Sequence, residues 1–239
     1  NNDVINNNGY GIDCHDEAQL IDNTITDNFD GYGVNGGIYF LNNIISNNSG
    51  YGIECDDDAE LYNNYIEDNN GNGITGGISL TNNEITGNSG YGVNCNDEAE
   101  IIGNTITGNL DGYGVNGGIL LSNNIISNNG GYGINCNIIA TLNDNLINNN
   151  DGYGITGGIN LSNNEVTENN GYGVECRNGD IAIESIINDN IISDNDGYGI
   201  YCGVQSELTN NTIENNQGYG IHSGTLFDGN TVKNNQGWG

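Results

Sequence analysis

The chain repeats itself at a nearly fixed period. The tripeptide GYG, or GNG once, opens a unit at Gly9, Gly31, Gly50, Gly71, Gly90, Gly112, Gly131, Gly152, Gly171, Gly197 and Gly218, and a last GWG begins at Gly237. Shorter units, such as Gly31 to Gly50, alternate with slightly longer ones, such as Gly50 to Gly71, and the unit from Gly171 to Gly197 is longer than any other. A period of about 20 residues leaves few architectures open, because one such unit cannot bury a core alone and must stack on its neighbours. Inside each unit, short alternations such as NTIT, NIIS and GISL are separated by Gly and Asn, the pattern of short strands joined by turns, and no helical stripe is present. A longer duplication overlies the short one: the stretches 9–89 and 90–170 align without a gap as blocks of four units, while 171–239 diverge. The whole of 1–239 reads as one domain.

Stacked units predict that equivalent positions share chemistry, and they do. One asparagine column runs from Asn2, Asn23 and Asn43 to Asn211 and Asn230, and a second, beginning further along each unit, from Asn7, Asn28 and Asn48 to Asn216 and Asn235. At the ~4.8 Å spacing of paired strands each side-chain amide can donate to the next carbonyl and satisfy buried turn groups. These asparagines are also expected to take the left-handed backbone of the corners. Aliphatic columns run from Val4 and Ile25 to Val232 and from Leu20 and Phe40 to Phe227, and are the expected core.

Coils of this length with asparagine and aliphatic ladders resemble the right-handed parallel β-helix repeat proteins of the pectate-lyase-like group. The resemblance covers nearly the whole chain and implies an all-β, single-domain right-handed parallel β-helix (a β-solenoid) of about eleven to twelve coils. It would imply sugar-acid cleavage only with that group's basic residues, and Arg177 stands alone. His15 and His222 are likewise isolated, and the spaced Asp, His-Gly and basic pattern of polygalacturonase-like proteins is missing. Glu67 and Glu84 fall on outward positions of adjacent coils as a carboxylate pair, but nothing else converges there. The expectation is that the chain is not an enzyme and needs no cofactor.

Cysteine returns in every second coil: Cys14, Cys55, Cys95 and Cys136 occupy the place that Gly36, Gly76, Gly117 and Gly157 take in the coils between. Shortly before the first asparagine column, the cysteine coils carry Ala18, Ala59, Ala99 and Ala140 and the glycine coils Ile38, Ile78, Ile119 and Ile159. Pairs of Cys with Ala and Gly with Ile predict coils that interlock inward by volume. Cysteines two coils apart, roughly 9.6 Å, are too distant for a disulfide, whereas Cys176 and Cys202 lie one coil apart and can bridge in an oxidising compartment.

Thirty-two acidic residues face two basic ones, a net charge of -30. Such a surface excludes nucleic acid and anionic membranes as partners, and no apolar run is long enough to insert in a bilayer. Asp16, Glu17, Asp57, Asp58, Asp97 and Glu98 are expected to form an acidic ridge along the cysteine-coil turns, with weak Ca²⁺ binding as its candidate role. A tyrosine column from Tyr10 to Tyr219, broken at Asn72, either braces the strands or, facing solvent, offers a platform for sugars or a neighbouring solenoid. The chain begins and stops partway through a coil without a visible cap, either as a trimmed fragment or with open ends at Asn2, Val4 and Asn7 and at Tyr219 and Trp238 that stack head to tail. The expected function is a non-enzymatic structural or adhesive component at an extracellular or cell-surface location, self-assembling into a filament, sheath or surface layer. Binding or depolymerising of surface polysaccharide, in the manner of phage tailspikes, is the alternative, and ice binding a minor one.

Overall fold

The computed structural model describes residues 1–237 apart from Gly179, Asp180 and Ile183. Each coil contributes three short strands, seen first in β1 (Asp3–Ile5), β2 (Ile12–Asp13) and β3 (Gln19–Ile21), before β4 (Thr24–Thr26) begins the next turn. Among the described residues these stack into three sheets of 12, 11 and 11 strands, with every neighbouring pair parallel. Register never slips: Val4 lies beside Ile25, Ile25 beside Ile45, and so on to Ile213 beside Val232. An antiparallel hairpin of Arg177–Asn178 with Ile181–Ala182 interrupts the stack and accounts for the long coil that opens at Gly171.

The core is three aliphatic ladders, one per sheet. The two expected ladders are buried except at their ends, where Val4 and Val232 are partly buried and Phe227 is exposed, and a third, from Val34 and Ile53 to Ile155 and Ile200, completes the triangle. Each fully buried aliphatic side chain contributes roughly 1.5–3 kcal/mol, so a coil carries its own share of stability only while both neighbours cover it.

Both asparagine columns are ladders, and each rung is bonded in the same sense. The Nδ2 of Asn43 donates to Asn64 Oδ1 at 2.9 Å and the Asn43 main-chain N–H donates to the same oxygen at 3.0 Å. The same Nδ2 also donates backwards to Leu20 O at 2.8 Å, so one amide bridges three coils. The left-handed corner falls one residue earlier than expected. Asn42, Asn63 and Asp144 take φ near +55°, whereas the ladder asparagines that follow them do not. The division of labour explains the recurrent NN and DN pairs: the first residue turns the chain, which Asn, Asp and Gly tolerate, and the second fills the corner.

The interlock of volumes holds only in part. Ala59, Ala99 and Ala140 are buried, but Ile38, Ile78, Ile119 and Ile159 are half-exposed and stay outside the core cluster. What meets across coils is cysteine and glycine. Cys14, Cys55, Cys95 and Cys136 donate their thiol to the carbonyl before the glycine of the next coil, Cys14 to Asn35 O at 3.5 Å and Cys55 to Thr75 O at 3.4 Å. Gly117 in turn has φ +106°, and a Cβ there would collide with Cys95 O and come 3.1 Å from Cys95 Sγ. The glycine pair turns the short coil in a left-handed conformation, while each cysteine coil makes the corner with a hydrogen-bonded turn such as Ala59 N–H to Asp56 O at 3.0 Å. In these four pairs cysteine alternates with glycine because its sulfur and carbonyl occupy the space that a side chain on the next coil would need, whereas after Cys202 the place is taken by Ser223, at φ +78°, whose carbonyl accepts the thiol.

Candidate functional site

Asp16, Glu17, Asp57, Asp58, Asp97 and Glu98 are exposed at the tips of the cysteine-coil turns. Turns on alternate coils stand roughly 9.6 Å apart, and among the described residues no three His, Cys, Asp or Glu side chains converge to hold a metal ion. Asp16 instead lines an open recess with Asn35, Gly36, Glu54, Cys55 and Asp56. In the fourth cysteine coil the turn reads Asn137, Ile138, Ile139, which ends the ridge.

Cys176 and Cys202 are buried and are free thiols in this structure, as are the four others. They occupy adjacent coils, as expected, but the alanine of the other cysteine coils is replaced there by serine. Ser206 Oγ accepts the Ser185 N–H at 2.9 Å, and Ser185 Oγ donates to Gly158 O at 3.1 Å. Desolvation pushes the Cys95 and Cys176 thiols up to about 12. Burial in the same sense raises Cys55, Cys136, Cys202 and Cys14. These are protonated, unreactive sulfurs rather than nucleophiles.

The tyrosine column lies on the outside, half-buried, with its rings stacked on one another. Tyr113, Tyr132, Tyr153, Tyr172 and Tyr198 follow at 4.6–4.8 Å between centroids and 2–4° between planes. Stacking occupies the ring faces and leaves mainly edges for solvent, which makes the ladder a brace more than a platform for sugars. At the break, Asn72 Oδ1 accepts the Tyr91 N–H at 2.9 Å and its Nδ2 donates to Thr75 Oγ1 at 3.0 Å. Tyr91 leans on Tyr113 at 43°, much as Tyr10 leans on Tyr32 at 45°.

Four tyrosines stand outside that ladder, Tyr201 against His222 and three in the first duplicated block. Tyr39, Tyr62 and Tyr65 point outward from coils two and three; Tyr62 Oη donates to Glu60 Oε2 at 3.1 Å, and Tyr65 is bonded to Glu67. That hydrogen bond, with some desolvation and the negative charges of Glu67, Glu84 and Asp68, pushes the Tyr65 phenol up to about 12. Glu84 lies beside Tyr65 in the next strand, and Glu67 beside Thr86, so the carboxylate pair is diagonal across the sheet with one member held by a phenol. Comparison of the two duplicated blocks finds these residues, because the second copy has Leu120, Asn143 and Leu146 in place of the three tyrosines.

Of the residues expected at the ends, Asn2 and Asn7 are exposed rungs donating to Asn23 and Asn28, Val4 is partly buried against the core, and Tyr219 stacks on Tyr198. Trp238 lies outside the described residues, as do the side chains of the Arg177–Ile183 segment. His15 is exposed; His222 sits among Tyr198, Tyr201 and Tyr219.

No curated protein and no solved structure matches the chain. A family description, "Right handed beta helix region", matches residues 42–158 and 156–236, most of the length, and agrees with the three parallel sheets. The chain therefore belongs to the right-handed β-helix family.

Proposed function

We propose that the protein is a non-enzymatic structural component of an extracellular or cell surface, a stiff rod that associates with further copies coil on coil. The observation that carries the reading is the one-way sense of both asparagine ladders. Each coil offers amide donors to one neighbour and carbonyl acceptors to the other, as in Asn104 to Asn124 and Asn124 to Asn145. An interface of this kind is heterologous and repeats without closing, which generates filaments. Net charge of -30 keeps such rods apart laterally and favours axial contact, and two basic residues leave trypsin-like proteases few places to cut.

Electron microscopy of the purified protein, with calcium and with a chelator, tests the reading. Fibres with an axial repeat of about 55 Å, the rise of eleven to twelve strand spacings, are expected. Single short rods at all concentrations refute self-association. Fibres lost on chelation would assign the acidic turns to calcium.

A further inference from the structure

The third coil, 50–70, differs from its counterpart, 131–151, in a concerted way. Glu60, Tyr62, Tyr65 and Glu67 correspond to Thr141, Asn143, Leu146 and Asn148, which have neither rings nor charges. Both coils nevertheless have the same strands in the same parallel register. The duplication thus serves as an internal control: the two Tyr–Glu pairs are not needed to build the coil, so the coil's geometry does not explain them.

These side chains flank the corner at Asn63 and Asn64, one Tyr–Glu pair on the outward side of each of the two sheets that meet there. Tyr62 is bonded to Glu60 and Tyr65 to Glu67, so each ring is pinned by a carboxylate that still has oxygen lone pairs to offer. Tyr39 approaches Tyr62 at 5.8 Å and 49°, an open angle unlike the near-parallel stacks from Tyr113 to Tyr198. Ile21 and Ile44, 39% and 45% exposed, extend the apolar surface beside them.

Pinned rings offer flat faces that attract C–H groups and cations, and the carboxylates accept from hydroxyl and ammonium donors. The backbone of this face is engaged in the parallel sheets. An extended peptide would find few main-chain partners for its own amides, whereas a glycan's hydroxyl groups need only side chains. Charge decides the rest: Glu60, Glu67 and Glu84 on a chain of net charge -30 repel uronates and favour a positively charged ligand. We propose that this face binds a linear polymer of amino sugars carrying free ammonium groups. The proposal does not depend on axial self-association and is read separately from it.

The test is calorimetric titration of the whole chain with a glucosamine hexamer. Saturable binding is expected, weakened at least about tenfold in the variant Tyr39→Leu/Tyr62→Asn/Tyr65→Leu. Its replacements are those the second copy already carries, so circular dichroism should be unchanged. Glu60→Thr/Glu67→Asn, taken from the same copy, should weaken binding as well and provides the test if the triple variant misfolds. Binding unaffected by these changes, no binding to the unmodified chain, or equal binding of a basic peptide of matched length and charge each overturns the proposal. Equal binding of the N-acetylated hexamer overturns the assignment of a cationic ligand.

Discussion

Asn104 is the position at which the ladder chemistry can be weighed. It is 1% exposed, and its Oδ1 accepts the Asn83 main-chain N–H at 2.8 Å and Asn83 Nδ2 at 3.0 Å. Its Nδ2 donates to Leu80 O at 2.8 Å, Ile102 O at 3.2 Å and Asn124 Oδ1 at 3.2 Å. In Asn104→Ala, Asn83 Nδ2 retains Leu61 O, and Asn124 Oδ1 retains the main-chain N–H of residue 104. The Asn83 main-chain N–H loses its acceptor and is buried without one. One orphaned donor costs about 1–3 kcal/mol, and the lost amide bonds bring the total to about 2–4 kcal/mol. Hydrogen exchange at Asn83 reads this locally, where roughly thirtyfold to several hundredfold faster exchange is expected, and urea unfolding reads it globally. Asn123→Gly is the control: Asn123 is an exposed corner residue at φ +57°, which glycine adopts freely, so a change within about 0.5 kcal/mol is expected. A loss below about 1 kcal/mol at Asn104, or an equal loss at both sites, would refute the claim that the ladder amides satisfy otherwise orphaned backbone groups.

Two further outcomes follow from the same geometry. Asn72→Tyr closes the break in the tyrosine column, as Tyr153 does in the second copy. Two new stacks, worth about 0.5–1.5 kcal/mol each, are matched by the two Asn72 hydrogen bonds that are lost, and the ring area newly buried tips the balance, so the melting temperature should rise; a fall would mean that Asn72 holds the coil in a way tyrosine cannot. The six thiols should resist alkylation in the folded chain near neutral pH and react on denaturation. Because burial raises the folded pKa values above the ordinary 9.0, the folded state holds these protons longer, and stability should fall from about pH 9 upward toward 12. Rapid labelling of Cys95 in the folded protein would contradict this.

Much of the fold was legible because ladders are periodic and sequence displays period directly. The asparagine columns and two of the aliphatic columns could be counted off from Asn23 and Leu20. The exact residue that turns left-handed was not legible: in an NN pair both members tolerate the conformation, and only the inward position of the second decides which one turns. Ile38 was misplaced for a related reason. Alternation from Val34 carries across a regular strand but not through Gly36 and Gly37, whose positive φ values break the inward-outward sequence. The outward tyrosines were hidden because Tyr39, Tyr62 and Tyr65 occur once each and form no column. Their pairing with carboxylates follows from strand alternation, which puts Glu60 beside Tyr62 and Glu67 beside Tyr65, and becomes visible only once those two short strands are placed.

Alternation of cysteine and glycine coils has a consequence for how such a chain can change length. A glycine coil fits beneath a cysteine coil because one lacks the atoms the other supplies, so the natural quantum of growth or loss is two coils, and the duplicated block contains four. Where parity fails, at Cys176 and Cys202, serine replaces alanine at 185 and 206 and an inserted hairpin lengthens the coil. An unequal recombination that removed one coil would bring two mismatched corners into contact and demand a repair of that kind, whereas removal of a pair would leave a seam indistinguishable from the rest of the rod.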